Sequence, residues 1–172
     1  MAVNLNIKTN SKQVSAKFKK FGAVLPRIID KGVKQAGFQL VEIIKTKTLK
    51  GQDFRDRRFA PYSEGYIKQL QREGKPTAVD LFYSGRMLGS LTSKKTGKHK
   101  VSLGFSNAQM LQRALFNQVL NDPKREFFGF NNRTEKIISK QFNRLIQKEL
   151  QKFKLWVYEK ILHQTYYLPY QV

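Results

Sequence analysis

The sequence predicts an α+β fold: a small antiparallel sheet built on a hairpin, packed by one long helix in the N-terminal half and another towards the C-terminus, with a C-terminal aromatic extension. Three observations lead there. Apolar residues recur every three or four positions from Leu25 to Leu49 and again from Ile138 to Leu150, which puts them on one face of a helix. Between these runs, Leu91–Phe105 reads as two strands around a Thr96-Gly97-Lys98 turn. At 172 residues the chain is long enough for one domain with a real core, and we assign residues 1–150 to that domain and 151–172 to an extension suited to partner contact.

Taken in order, Val3-Asn4-Leu5-Asn6-Ile7 alternates apolar and polar as a half-buried or edge strand does. Asn10 and Gln13 resemble a capping pair for a short helix carrying Val14, Phe18 and Phe21, ended by Gly22. Pro26 suits the first turn of a second helix, where its missing amide costs little, and Gly51 supplies the stop. Gln52–Pro61 is polar and ends in a breaker, so it is expected to be a loop. Ser63 caps a short helix through Leu70, and Val79–Tyr83 is expected to be extended. Ser84 is placed to cap a helical turn bearing Met87, Leu88 and Leu91. A helix from Ser106 sets Met110, Leu111, Leu115 and Val119 on one face before Asn121-Asp122-Pro123 breaks it.

The chain is organised around Pro123–Leu150. Glu126–Phe130 is expected to be extended and mostly buried, with Phe127, Phe128 and Phe130 as anchors. Asn132 is placed to cap the next helix, with Glu135 reaching back in a capping box. The apolar stripe continues past Leu150 through Phe153, Trp156, Val157 and Ile161, so a helix reaching His163 would be about 45 Å long. Tyr166-Tyr167-Leu168-Pro169-Tyr170 is aromatic and interrupted by proline. That is more apolar surface than one small domain covers, which makes Phe127, Phe128, Phe130, Phe153, Trp156, Val157, Tyr166, Tyr167 and Tyr170 candidate contacts to a partner or a neighbouring copy.

Thirty-three basic residues against twelve acidic ones give a net charge of +21 and a pI near 10.3. Such an imbalance attracts polyanions and opposes close self-association in low salt. Lys136, Lys140, Arg144, Lys148 and Lys152 follow one another at four-residue steps, forming a positive ridge whose members repel by about 0.2–0.5 kcal/mol per pair. Lys94, Lys95, Lys98 and Lys100 crowd the hairpin. Either set is a solvated surface or a face turned to polyanion. Lysine outnumbers arginine about two to one, and a point charge without a planar fork favours backbone attraction over base reading.

The absence of cysteine excludes disulfides and thiolate metal sites. No stretch approaches the roughly 20 apolar residues of a membrane helix, and MAVNLNIKTN lacks a signal-peptide core, so a soluble protein made in the cytoplasm is expected, with no membrane partner. The sequence offers no catalytic spacing, no metal cluster and no cofactor motif. Asp53 and Asp56 are the one close acidic pair, and Arg55, Arg57 and Arg58 beside them point to local ion pairing rather than metal or acid chemistry.

The order of pieces resembles the neck and tail-completion proteins of tailed bacteriophages, a group that includes virion morphogenesis and minor tail proteins. The resemblance rests on Pro61-Tyr62-Ser63, on Asp80-Leu81 through Ser84-Gly85-Arg86-Met87-Leu88 to Ser90-Leu91, on a hairpin ending in Leu103-Gly104, and on Arg125-Glu126-Phe127-Phe128-Gly129-Phe130 before a terminal helix. It spans about residues 20–150. The chain departs from it at Leu115-Phe116-Asn117-Gln118, where the family carries a glycine turn, and in the aromatic extension after Leu150. The resemblance implies a non-enzymatic α+β subunit of the virion. Its copies would form a homo-oligomeric ring, a hexamer or dodecamer, between portal, adaptor or head-closure proteins and the tail, with genomic DNA passing nonspecifically through the channel. The alternative is a basic, nonspecific nucleic-acid-binding protein acting in replication or packaging.

Overall fold

The computed structural model describes residues 11–152. The expected strand at Val3–Ile7, the cap at Asn10 and the extension beyond Lys152 lie outside the described residues. The described chain runs α1 (Ser11–Leu49), α2 (Glu64–Arg72), α3 (Arg86–Ser90), β1 (Leu91–Gly97), β2 (Lys100–Phe105), α4 (Ala108–Leu115), a π-helical turn (Phe116–Leu120) and α5 (Asn132–Lys152). The α+β class, the two-stranded antiparallel sheet and the two long flanking helices are as expected from the sequence.

α1 is a single helix of 39 residues where two were expected. Pro26 lies inside it. Proline removes one intrahelical hydrogen bond and crowds the carbonyl four residues back, which here belongs to solvent-exposed Gly22, with nothing near its missing side chain. Water can satisfy that carbonyl, so neither Gly22 nor Pro26 terminates the helix. The true end is at Gly51 (φ 73°), whose amide bonds Thr48 O while Gln52 N bonds Lys47 O, a Schellman ending.

Ile28, Gly32, Gly37, Val41, Ile44 and Thr48 form the buried stripe of α1. Val41 and Ile44 meet Met87, Leu88, Leu91, Met110, Ala114 and Phe127 in the core. β1 pairs with β2 from Leu91↔Phe105 to Gly97↔Lys100, with an irregularity between Lys95 and Gly97. The turn residues are Lys98 and His99, one position later than predicted, and His99 has a φ of 56°. The hairpin lies on α1 at Gly37, where an added Cβ would fall 2.2 Å from Ser93 Oγ. Its far end is tied to α1 by Asp30, which accepts from Lys95 Nζ and from His99 N at 2.9 Å, with His99 Nδ1 at 3.0 Å.

The Lys95 hydrogen bond, then that from the His99 amide, holds the Asp30 carboxyl at about 2, below its ordinary 3.8. A carboxyl depressed in this way stabilises the docked hairpin fully above pH 3.8 and loses that contribution as pH falls towards 2. Amide protection of β1 and β2, relative to the intrinsic exchange rate at each pH, is therefore expected to fall over that window in the natural chain. Asp30→Asn should show lower protection at neutral pH and little further loss on acidification; the same acid profile in both chains would mean that the clamp does not hold the hairpin.

Elsewhere turns and loop contacts, not strand ladders, satisfy the backbone. Val79–Tyr83 forms no strand; Leu81 has a φ of 53° and Asp80 Oδ1 accepts from Phe82 N in a tight turn. Gly85, left-handed at φ 69° and without a side-chain cap, precedes α3 in place of the expected Ser84. Glu126–Phe130 is likewise no strand: Arg125 N bonds Asn117 O, Phe54 N bonds Glu126 O, and Gln118 both accepts from Phe128 N and donates to Phe128 O. Asn117 and Gln118, in the stretch without glycine, thus hold the arm. α5 is capped by Asn131, one residue earlier than predicted, whose Oδ1 accepts from Thr134 N at 3.0 Å. That displaces Glu135 from the capping-box position.

Candidate polyanion and assembly surfaces

α5 packs along α1 in the opposite direction: Lys47 Nζ reaches Thr134 Oγ1 at 3.3 Å near the start of α5, and Phe142, midway along it, lies against Gly32. The stripe Ile138, Phe142, Leu145, Ile146 and Leu150 is half-buried against α1, and the cationic ridge faces solvent. Lys136, Lys140, Arg144, Lys148 and Lys152 are all exposed. Only Lys152 of these forms an ion pair among the described residues, with Glu149 at 2.7 Å.

The hairpin cations divide. Lys94, Lys98 and Lys100 are exposed, whereas Lys95 is committed to Asp30 and is a structural tie rather than a free probe. The two basic sets, separate in sequence, converge on α1: the hairpin is anchored at Asp30 and α5 at Gly32, two residues along the same helix. Exposed Lys31 and Lys34 stand at that junction. Sequence reasoning passed over these two because α1 was judged by its apolar stripe; their flanking of Gly32, which admits another helix, was the signal. Exposed cations thus stand on three elements that meet along one stretch of α1, and among those named Arg144 is the one guanidinium in a set of lysine point charges, a composition suited to a phosphate backbone more than to base reading.

The acidic pair is occupied. Asp53 accepts from Arg55 N and Arg57 N, each at 2.8 Å, and pairs with the Arg57 guanidinium, as local ion pairing predicts. Asp56 departs from that expectation: it pairs across the fold with Lys47 at 2.7 Å and accepts from Asn131 Nδ2 at 2.7 Å. The Lys47 hydrogen bond, then that of Asn131, lowers its pKa. Asp56 is therefore a tie between α1, the 52–61 loop and the start of α5. Among the described residues no cluster of three or more acidic or histidine side chains is placed to hold a metal, and no helix is long and apolar enough to cross a membrane.

The three arm phenylalanines, predicted together as interface contacts, are divided by the structure. Phe127 is 1% exposed at the centre of its own core, so it is unavailable to a partner. Phe128 packs partly against that core, 6.0 Å from the Phe105 ring. Phe130 alone stands free, 57% exposed. The other candidates, Phe153, Trp156, Val157, Tyr166, Tyr167 and Tyr170, lie outside the described residues.

The apolar residues that helical spacing groups together are divided by the structure. Met110 and Ala114 turn into the core, while Leu111, Leu115 and Val119 are exposed with Phe116 and Leu120. Met110 and Ala114 are four apart and so share a face; Leu111 and Leu115 form a second row about 100° around the helix, and the wider π turn carries it on to Val119. Beside Phe116 a cavity of about 650 Å³ is lined by Tyr62, Tyr66, Met87 and Arg125, among others. Arg125 is buried, donates to Pro61 O at 2.9 Å and lies over the Tyr62 ring, which links the arm to Pro61-Tyr62-Ser63. Compared with known proteins, the chain matches no family model, no curated protein and no solved structure.

Proposed function

We propose that the chain is a structural subunit of the head-to-tail connector of a tailed bacteriophage, a neck-ring or tail-completion protein that assembles around the DNA channel and joins head to tail. The observation that carries the reading is the pairing of two surfaces on separate elements: unneutralised cations on α5, α1 and the hairpin, and exposed apolar side chains on α4 and the π turn. A ring subunit needs attraction to passing DNA without base readout, and apolar area for its neighbours. The segment order described above supports the same assignment. Portal, adaptor or head-closure and tail proteins are the partners it implies, with the virion as the place of action and no catalytic role.

The test is assembly and salt dependence measured on the same purified chain. Mass photometry across protein concentration should show closed multimers, with the chain present in purified particles. DNA affinity should fall steeply with salt, by a factor set by about 0.9 log units per phosphate contact for each log unit of salt. Replacing Lys136, Lys140, Arg144 and Lys148 together by glutamate should reduce that slope by about 3–4 if each meets one phosphate. A chain that stays monomeric and is missing from particles, yet binds DNA with the steep slope, would replace this reading with the second one, a nonspecific nucleic-acid-binding protein in replication or packaging, which the cationic surface alone favours.

A further inference from the structure

An apolar groove of about 800 Å³ lies between α1, β2, the arm and α5, lined by Val33, Leu40, Val101, Leu103, Phe128 and Phe142, among others. Ser102 of β2 is exposed on it. β2 pairs with β1 along one edge, and no other backbone hydrogen bond joins residues 100–105 to another segment among the described residues. After Lys100 the strand carries no charge, so this edge lacks the side chains that ordinarily block strand addition. An apolar trough beside an open edge is the geometry that receives an extended peptide, with backbone bonds supplying affinity and alternate side chains filling the trough.

We infer that the groove and edge receive residues 3–7 of a second copy of this chain, which add a third strand to the hairpin and place Val3, Leu5 and Ile7 in the groove. Alternation with Asn4 and Asn6 puts those three side chains on one face, and the segment carries no charge to be desolvated beside a strongly basic surface. The aromatic C-terminal segment fits the edge less well, because Pro169 interrupts its row of amide donors.

The chain's own N-terminus cannot serve. Val33 and Gly37 line the groove 22 and 26 residues beyond Ser11, ~33 and ~39 Å along α1. A proline bend at Pro26 shortens that path by only a few ångström. Ile7, Leu5 and Val3 lie four, six and eight residues before Ser11, within ~14, ~22 and ~29 Å of it at full extension. Only Val3 nears even the close end of the groove, while Leu5 and Ile7 fall short. The strand therefore comes from a neighbour, and repeated from copy to copy it is a head-to-tail contact of the kind that closes rings. The inference rests on the proposed reading of the chain as a self-assembling subunit and says how its copies engage.

The absence of cysteine makes the test direct. Asn4→Cys and Ser102→Cys, which leave the apolar side chains in place, are made in separate chains, mixed and treated with a short bis-maleimide. The mixture should give covalent dimers, either variant alone none, and the double variant a ladder of multimers. Leu5→Asp with Ile7→Asp should raise the concentration for assembly at least about tenfold while leaving the thermal melt of the domain unchanged. Crosslinking within one chain, or Tyr167→Cys replacing Asn4→Cys as the residue joined to Ser102→Cys, would overturn the inference. So would assembly at an unchanged concentration in the aspartate variant, and in that case the connector reading stands. A natural chain that never assembles takes both down.

Discussion

Phe127→Ala is expected to cost about 3–5 kcal/mol, the range for truncating a buried aromatic in a packed core. The ring is 1% exposed and meets Phe105 edge-on at 6.4 Å, among residues contributed by α1, α3, β1 and α4. Little relaxation can fill the space, because the arm is fixed on both sides, by Asn117 O on Arg125 N and by Gln118 on Phe128. Against a total stability of about 5–15 kcal/mol, the loss should lower the melting temperature by about 10 °C and leave little margin in a chain at the low end. Urea unfolding followed by circular dichroism measures it. A cost below about 1 kcal/mol, with assembly impaired instead, would mean that Phe127 anchors a neighbouring subunit, as the sequence first suggested. Phe130→Ala is the contrast: with its ring in solvent it should leave stability nearly unchanged.

Gly32→Val should separate α5 from α1. An added Cβ at Gly32 would fall 2.5 Å from Phe142 Cε2 and 2.8 Å from Cδ2, so the ring must move, and a bulkier side chain presses on the helix that carries it. Glycine in a helix interior costs about 1 kcal/mol relative to alanine. That cost is the counterpart of close helix approach, and it sets the scale of the competing terms. Overpacking costs about 1–3 kcal/mol, so Gly32→Ala should come out near neutral or modestly destabilising, and valine, with two further methyl groups, clearly destabilising. Exchange protection should fall across α5, with the α1 stretch around Val41 and Ile44 less affected because the core holds it independently. Adding Phe142→Ala should recover part of the loss, giving a coupling of about 0.5–3 kcal/mol in a double-mutant cycle. Strict additivity of the two substitutions would show that they do not meet. The same variant bears on the exposed cations, because Gly32, flanked by Lys31 and Lys34, is where α5 meets α1.

The elements legible in the sequence were those whose signal is local. The 3.6-residue stripes of α1 and α5, the alternation of the hairpin, the Ser63 cap of α2 and the glycine stop at Gly51 all act within a few residues, and each is found, with the hairpin turn one position later and the α5 cap one residue earlier than predicted. The misplaced features were decided at a distance or by water. Pro26 reads as a helix start only if Gly22's carbonyl needs a partner. Val79–Tyr83 and Glu126–Phe130 read as strands until side chains from elsewhere, or the turn chemistry of Asp80, satisfy their backbones. Spacing groups Leu111, Leu115 and Val119 with Met110 on one helix; which of the two apolar rows of α4 turns inward depends on what lies opposite, and the core chose Met110 and Ala114.

For the candidate surfaces, the sequence by itself determined the excess of positive charge, the ridge on α5 and the lack of cysteine, because these follow from composition and helical periodicity. The tertiary structure decided which charges remain free and which apolar side chains remain uncovered. Asp30 claims Lys95, Asp56 claims Lys47, and the core claims Phe127, while Lys31, Lys34, Phe130 and the outer row of α4 stay at the surface. The physical reason is that a side chain's charge and apolarity are properties of the residue. Its availability depends on which distant residue lies within a few ångström, and only the folded chain sets that.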